Sequence, residues 1–123
     1  MKILVTDDSK MARKMVIKIL NDVLNENVEV FEGQNGQEAF DLYKEHLPEI
    51  VFLDLTMPVM NGFEALSKIK EFDKNAKVVI ISADIQKLSM DKALQLGAFN
   101  FVKKPIDATK MQQILEKINK LEN

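Results

Sequence analysis

Asp54 ends a short apolar run, Ile50-Val51-Phe52-Leu53, and is followed at once by Leu55-Thr56-Met57-Pro58. A carboxylate at the C-terminal end of a buried strand is costly to desolvate unless a partner compensates it. Three other points in the chain hold suitable partners: the pair Asp7-Asp8, the hydroxyl of Ser82 and the ammonium of Lys104. Each closes an apolar run that reads as a strand. Three acids, a hydroxyl and a lysine at four strand ends describe one site, suited to a divalent metal and a phosphoryl group.

Converging carboxylates repel one another, and without a cation at least one should hold its proton. A hard divalent cation turns them into ligands. Magnesium, or manganese in its place, takes oxygen ligands and is typically held by one or two carboxylates plus a phosphate. Asp8 and Asp54 could ligate directly, Asp7 through a water, and the backbone carbonyl of Thr56 could add a further oxygen. Asp7-Asp8 could instead cap the following helix, since Asp is favoured there; a third acid at another strand end favours the metal. Asp54 could also attack phosphorus to form an aspartyl phosphate. The phosphoryl oxygens would then need the metal, Lys104, and Ser82 with nearby N–H groups. Lys103 should point elsewhere, because neighbours on a strand alternate faces. Lys104-Pro105 is a candidate cis bond, since cis bonds are essentially confined to X-Pro.

The elements that must position these groups follow from periodicity. Apolar runs at Lys2–Thr6, Val28–Glu32, Ile50–Asp54, Val78–Ser82 and Asn100–Lys103 read as strands. Between and after them lie helical patterns at Lys10–Leu24, Gln37–His46, Phe63–Phe72, Ile85–Leu96 and Ala108–Leu121. The first helix carries two apolar ridges, Met11, Met15, Ile19, Val23 and Ala12, Val16, Leu20, Leu24, with Ser9 as its N-cap. Phe63, Leu66, Ile69 and Phe72 share a face, as do Met111, Ile114, Leu115, Ile118 and Leu121. Gly97 suits a helix C-cap. Crossover-length connections and near-continuous apolar strands predict a doubly wound (βα)5 fold. Its five-stranded parallel sheet would lie between helix layers in a flavodoxin-like three-layer sandwich. In such sheets the functional crevice lies at the carboxyl ends of the strands, where Asp7, Asp8, Asp54, Ser82 and Lys104 all fall.

Composition narrows the class. The chain has 123 residues, enough for one domain over residues 1–123. A net charge of −2 gives no electrostatic case for nucleic acid or an anionic membrane. The absence of cysteine excludes disulfides and thiolate chemistry, and His46 is the single histidine. No apolar stretch approaches the ~20 residues of a membrane span, and no signal peptide precedes Asp7-Asp8. The chain reads as a soluble, cytoplasmic monomer.

Four segments carry a family resemblance. Val5-Thr6-Asp7-Asp8-Ser9, the stretch Phe52–Gly62, Ile80-Ile81-Ser82-Ala83 and Phe101-Val102-Lys103-Lys104-Pro105 resemble the motifs of the receiver domain of bacterial two-component response regulators, in order and spacing. The resemblance, to the stand-alone chemotaxis type, covers essentially the whole chain. It implies that Asp54 accepts a phosphoryl group from the phosphohistidine of a histidine kinase, that Asp7, Asp8 and Asp54 bind magnesium, that Lys104 contacts the phosphoryl group, and that Ser82 follows it on activation. Phe101 takes the switch aromatic position; without a hydroxyl its coupling must be steric, and an ordinary core aromatic is the alternative. Thr56 and Asp84 occupy positions that tune phosphoryl lifetime. Such a protein is a switch that catalyses only its own phosphorylation and slow dephosphorylation.

A downstream target or phosphatase would read residues 85–96, 100–103 and 108–121. Leu88 or Met90 are candidate contacts, although a wide core face explains the ragged pattern of that helix equally well. Lys10, Arg13, Lys14 and Lys18 could meet an acidic partner, a solvated helix face being the default. No effector domain follows Asn123, so direct transcription control is not expected. A phosphorelay intermediate shuttling phosphoryl groups between histidines is the alternative role. Two rivals of other classes fail on single residues. A hydrolase of the haloacid dehalogenase type needs an aspartate where Thr56 stands. A flavin module of the flavodoxin type needs a glycine- and hydroxyl-rich loop where Asp7-Asp8 would repel phosphate.

Overall fold

The computed structural model describes residues 1–24 and 26–122. Its elements run β1 (Lys2–Thr6), α1 (Lys10–Val23), β2 (Glu29–Gly33), α2 (Gly36–His46), β3 (Ile50–Leu53), α3 (Gly62–Phe72), β4 (Val78–Ser82), α4 (Lys87–Gln95), β5 (Asn100–Lys103) and α5 (Ala108–Glu122). The strands form one parallel sheet in the order β2-β1-β3-β4-β5. This is the expected doubly wound, flavodoxin-like sandwich. Strand order reverses between β1 and β3, the switch point at which such sheets open a crevice.

Strand alternation divides the interior into two cores. Leu4, Val51, Leu53, Val78 and Ile80 face the layer that includes Ala39 and Tyr43 of α2, Leu66 and Ile69 of α3, and Ala93 of α4. Ile3, Val5, Ile50, Phe52, Val79 and Ile81 face Val16 and Leu20 of α1 and Met111, Ile114 and Ile118 of α5. Each fully buried aliphatic side chain contributes ~1.5–3 kcal/mol, so the central strands hold the sheet edge that carries the acids rigidly. Side-chain caps set where three helices begin: Ser9, Asn35 and Asn61 accept from the N–H of Ala12, Glu38 and Glu64. Gly97 follows α4 with a φ of 101°, the left-handed conformation a helix stop favours. Among the described residues no helix is long and apolar enough to cross a membrane.

Several expectations need correction. Met11 and Met15 are 75% and 50% exposed, so the first ridge of α1 does not enter the core at its N-terminal end. Arg13 does so instead and is buried, not part of a solvated basic face. The reason is polar: the strand end beneath α1 needs a donor, described below. Phe72 is half-exposed, packed edge-on against Phe40 and Tyr43. Helix α4 begins at Lys87 rather than Ile85, and Ala93 is its buried residue. A wide core face is therefore wrong for α4; Leu88 is 82% exposed. The second strand runs one residue later than expected, and Asp54 lies just past β3. Leu121 falls outside the residues whose side chains are described.

Candidate functional site

Parallel pairing carries the ladder one residue past the strands, and this fixes the acids. The Asp7 N–H donates to Gly33 O and the Asp54 N–H to Thr6 O, each at 3.1 Å. The Lys104 N–H donates to Ser82 O at 2.9 Å, and the Lys104-Pro105 bond that follows is cis. Backbone pairing thus ties each of the three residues to a neighbouring strand before any side chain acts.

Carboxylate oxygens of Asp7, Asp8 and Asp54 lie within 4.8 Å of one another, with Asp7 and Asp54 buried and Asp8 exposed. Lys104 Nζ is 2.7 Å from Asp7 Oδ2 and 3.2 Å from Asp54 Oδ2. Asp7 also accepts the Ser9 N–H on Oδ1 at 2.9 Å and the Arg13 guanidinium on its carbonyl at 2.7 Å. Both its carboxylate oxygens therefore have protein donors, which suits a water-mediated role. Asp54 Oδ1 accepts the Leu55 N–H at 2.8 Å, which holds its rotamer. Burial, reinforced by the Asp7 charge and only partly opposed by Lys104, holds the Asp54 carboxyl above the usual carboxylate range. Burial lowers Lys104, but the hydrogen bond to Asp7 and the charges of Asp54 and Asp7 outweigh it and keep the ammonium charged. One lysine does not neutralise three acids. Their hard oxygen donors, one set open to solvent at Asp8, fit a small hard divalent cation.

The remaining expected residues take different places. Ser82 is buried, and its Oγ accepts the Asp84 N–H at 3.0 Å. The Asp84 carboxylate is turned onto the start of α4, accepting from the Gln86 N–H and the Ser89 hydroxyl, which lower its pKa. Thr56 is exposed in the β3–α3 loop. Phe101 is half-buried against the α2–α3–α4 core, and Lys103 is exposed, as alternation requires.

Two residues that shape the site, Arg13 and Gly62, carry weak signals in the sequence. Arg13 stands in the inward stripe of α1, three residues before Val16; a charge on an apolar stripe was the available signal. By its sequence context Gly62 is loop punctuation after Asn61. A Cβ there would lie 2.1 Å from Asp54 O and 2.7 Å from Leu55 Cα. The loop can fold back onto Asp54 because this residue has no side chain, and the Gly62 N–H closes it on Leu55 O at 2.8 Å. Val59, at the tip of that loop, holds a φ of 66°, sparsely populated for a β-branched residue.

One hollow adjoins the site and a second lies against β5. An apolar crevice of about 100 Å³, with Met15, Val16, Phe52 and Ile106 among its walls, opens beside Asp7, Asp54 and Lys104. A larger groove of about 520 Å³ is lined by Ile85 before α4, Met90, Phe101, Lys103, Lys110 and Ile114 among others.

Comparison with known proteins agrees with this geometry. The response regulator receiver domain family matches residues 3–116. The chemotaxis protein CheY of Bacillus subtilis is 41% identical over 122 residues, spanning 99% of this chain and 98% of the relative. CheY of Thermotoga maritima is 36% identical over 97% of this chain and 98% of its own. Among solved structures, the CheX-CheY-BeF3-Mg+2 complex from Borrelia burgdorferi superposes with a TM-score of 0.88. That match has 37% identity and covers 96% of this chain and 88% of that one. A parallel (βα)5 sheet with its acids gathered at the switch point, matched over nearly its whole length, places this chain in the response regulator receiver family.

Proposed function

We propose that the chain is a phosphorylation switch of chemotaxis-type signalling, with Asp54 as phosphoacceptor. The observation that carries this is the three-carboxylate cluster within 4.8 Å, with Lys104 bonded to two of its members. An Asp54 carboxylate oxygen forms a bond to phosphorus as the P–N bond of a kinase phosphohistidine breaks, its electron pair leaving on the imidazole nitrogen. Asp8 and Asp54, with the Thr56 carbonyl, would hold magnesium directly, and Asp7 through a water. When bound, the metal supplies neutralisation of charge on the phosphoryl oxygens. Lys104 then exchanges its Asp54 contact for a phosphoryl oxygen while its bond to Asp7 keeps it in place. The Borrelia relative, solved with beryllium fluoride, magnesium and CheX, supports both the metal and a protein partner.

The signal leaves the site through Ser82. Its Oγ now accepts from the Asp84 N–H; turning toward a phosphoryl oxygen gives that bond up. Asp84 holds the first turn of α4 through Gln86 and Ser89, so the rearrangement reaches α4 directly. Phe101, with no hydroxyl, would follow by packing alone. The groove between α4, β5 and α5 is the face a target or phosphatase reads. Its apolar floor and rim of Lys103, Lys110 and Lys117, against Asp107 alone, favour an acidic partner. Thr56 and Asp84 would tune how long the phosphoryl group stays. The protein would work as a cytoplasmic monomer.

Acetyl phosphate with magnesium tests the reading. We expect a mass gain of one phosphoryl group that requires magnesium and disappears in Asp54→Asn; labelling that persists in the variant refutes Asp54 as acceptor.

A further inference from the structure

We infer that Arg13 is a positioning residue for the metal site, acting through the peptide that joins Asp7 to Asp8. Arg13 is 7% exposed, and its guanidinium spans two elements. Nη1 donates to Asp7 O at 2.7 Å, and Nε donates to Glu32 Oε1 at 3.0 Å, at the end of β2. The Asp7 carbonyl belongs to the peptide plane from which Asp8 departs. Holding that oxygen fixes how Asp7 ends and Asp8 begins, so it sets where the exposed Asp8 carboxylate stands relative to Asp54. Among the described residues no other such anchor holds Asp8, whose carboxylate is exposed, whereas Asp7 is tied at N–H, carbonyl and both carboxylate oxygens. Glu32 orients the guanidinium and balances its charge, with Lys14 Nζ 3.6 Å from its second oxygen.

The choice of arginine follows. A planar fork donates in two fixed directions at once, whereas the ammonium of a lysine is a single point and does not reproduce both arms. Groups that orient a ligand from behind it commonly alter metal affinity by 10–100-fold.

The inference rests on the magnesium reading, and the test separates the two. Magnesium is titrated calorimetrically into the unphosphorylated protein, with urea unfolding in parallel. Arg13→Lys, which keeps the charge and loses the fork, is expected to bind magnesium about tenfold more weakly while still folded. Glu32→Gln leaves the Asp7 bond but loosens the fork, and is expected to weaken binding by a smaller factor. Raising magnesium should return acetyl phosphate labelling of Arg13→Lys to the parent rate. A folded Arg13→Lys whose magnesium affinity is within twofold of the parent overturns the inference, as does labelling that stays slow at saturating magnesium. Should Arg13→Lys not fold, Glu32→Gln decides, and unchanged affinity there overturns it. A parent protein that binds no magnesium refutes the metal reading instead.

Discussion

Replacing Gly62 by alanine perturbs the proposed phosphoacceptor, Asp54, without touching any charged group. The added Cβ would sit 2.1 Å from the Asp54 carbonyl oxygen and 2.7 Å from Leu55 Cα, where contacts below 3.0 Å essentially never occur. Both neighbours are backbone, so no rotamer change relieves the clash. Asp54 and the start of α3 must therefore separate by about 0.9 Å. Forcing extra volume into a packed site costs ~1–3 kcal/mol. With a urea slope of roughly 1–3 kcal/mol/M for small domains, the unfolding midpoint should fall by about 1 M. A displacement near 1 Å at a reacting group costs on the order of a hundredfold in rate, so labelling by acetyl phosphate should slow by about that factor at saturating magnesium. Gly33→Ala is the matched control. Its Cβ meets Thr6 side-chain atoms at 3.2 and 3.3 Å and Ala39 N at 3.4 Å, of which the first two can yield, and its stability should change by less than about 1 kcal/mol. If Gly62→Ala labels within threefold of the parent and unfolds at the same urea concentration, the close approach at Asp54 does not position the acceptor.

Without metal, Asp54 should oppose folding at neutral pH. Its folded pKa is raised by burial and by Asp7, so the native state binds the proton more tightly than the unfolded chain, and stability falls as pH rises through the folded value. Asp54→Asn should accordingly melt higher than the parent in EDTA at neutral pH, with the gap closing as pH is lowered toward 4; equal melting temperatures across that range contradict the burden assigned to this carboxylate. Glu32 has the opposite sign. Its pKa is lowered first by the Arg13 hydrogen bond, so its contribution is present above the unfolded value and lost as pH falls through the folded one, and Glu32→Gln should flatten that acid limb in urea titrations. Tyr43 donates its hydroxyl to Asp73 Oδ2 at 2.7 Å across the α2–α3 interface; Tyr43→Phe should cost ~1 kcal/mol. As the single tyrosine, it should also ionise well above the normal phenol range by absorbance, because burial and Asp73 both raise it.

The order of elements, the parallel sheet and the edge on which the acids gather are legible in the chain before it folds. Those follow from local rules: alternation and apolar runs mark strands, capping residues mark helix starts, and crossover lengths force parallel pairing. The sequence also points to the candidate site groups, because Asp7, Asp8, Asp54, Ser82 and Lys104 each lie at or just past the end of a strand, and strand ends meet. How each group is held depends instead on long-range packing. Asp7 donates its N–H to Gly33 O and accepts from Ser9, Arg13 and Lys104, and no local pattern connects Gly33, Arg13 or Lys104 to it. Arg13 sits inward because a carbonyl on a neighbouring loop lacks a donor, so polar satisfaction overrode the apolar stripe that pointed to Met11 and Met15. Gly62 is required by a backbone eight residues earlier, and α4 turns Ala93 inward while leaving Leu88 in solvent. Periodicity reports which face of an element is apolar; which unpaired polar group lies opposite that face depends on the packed fold.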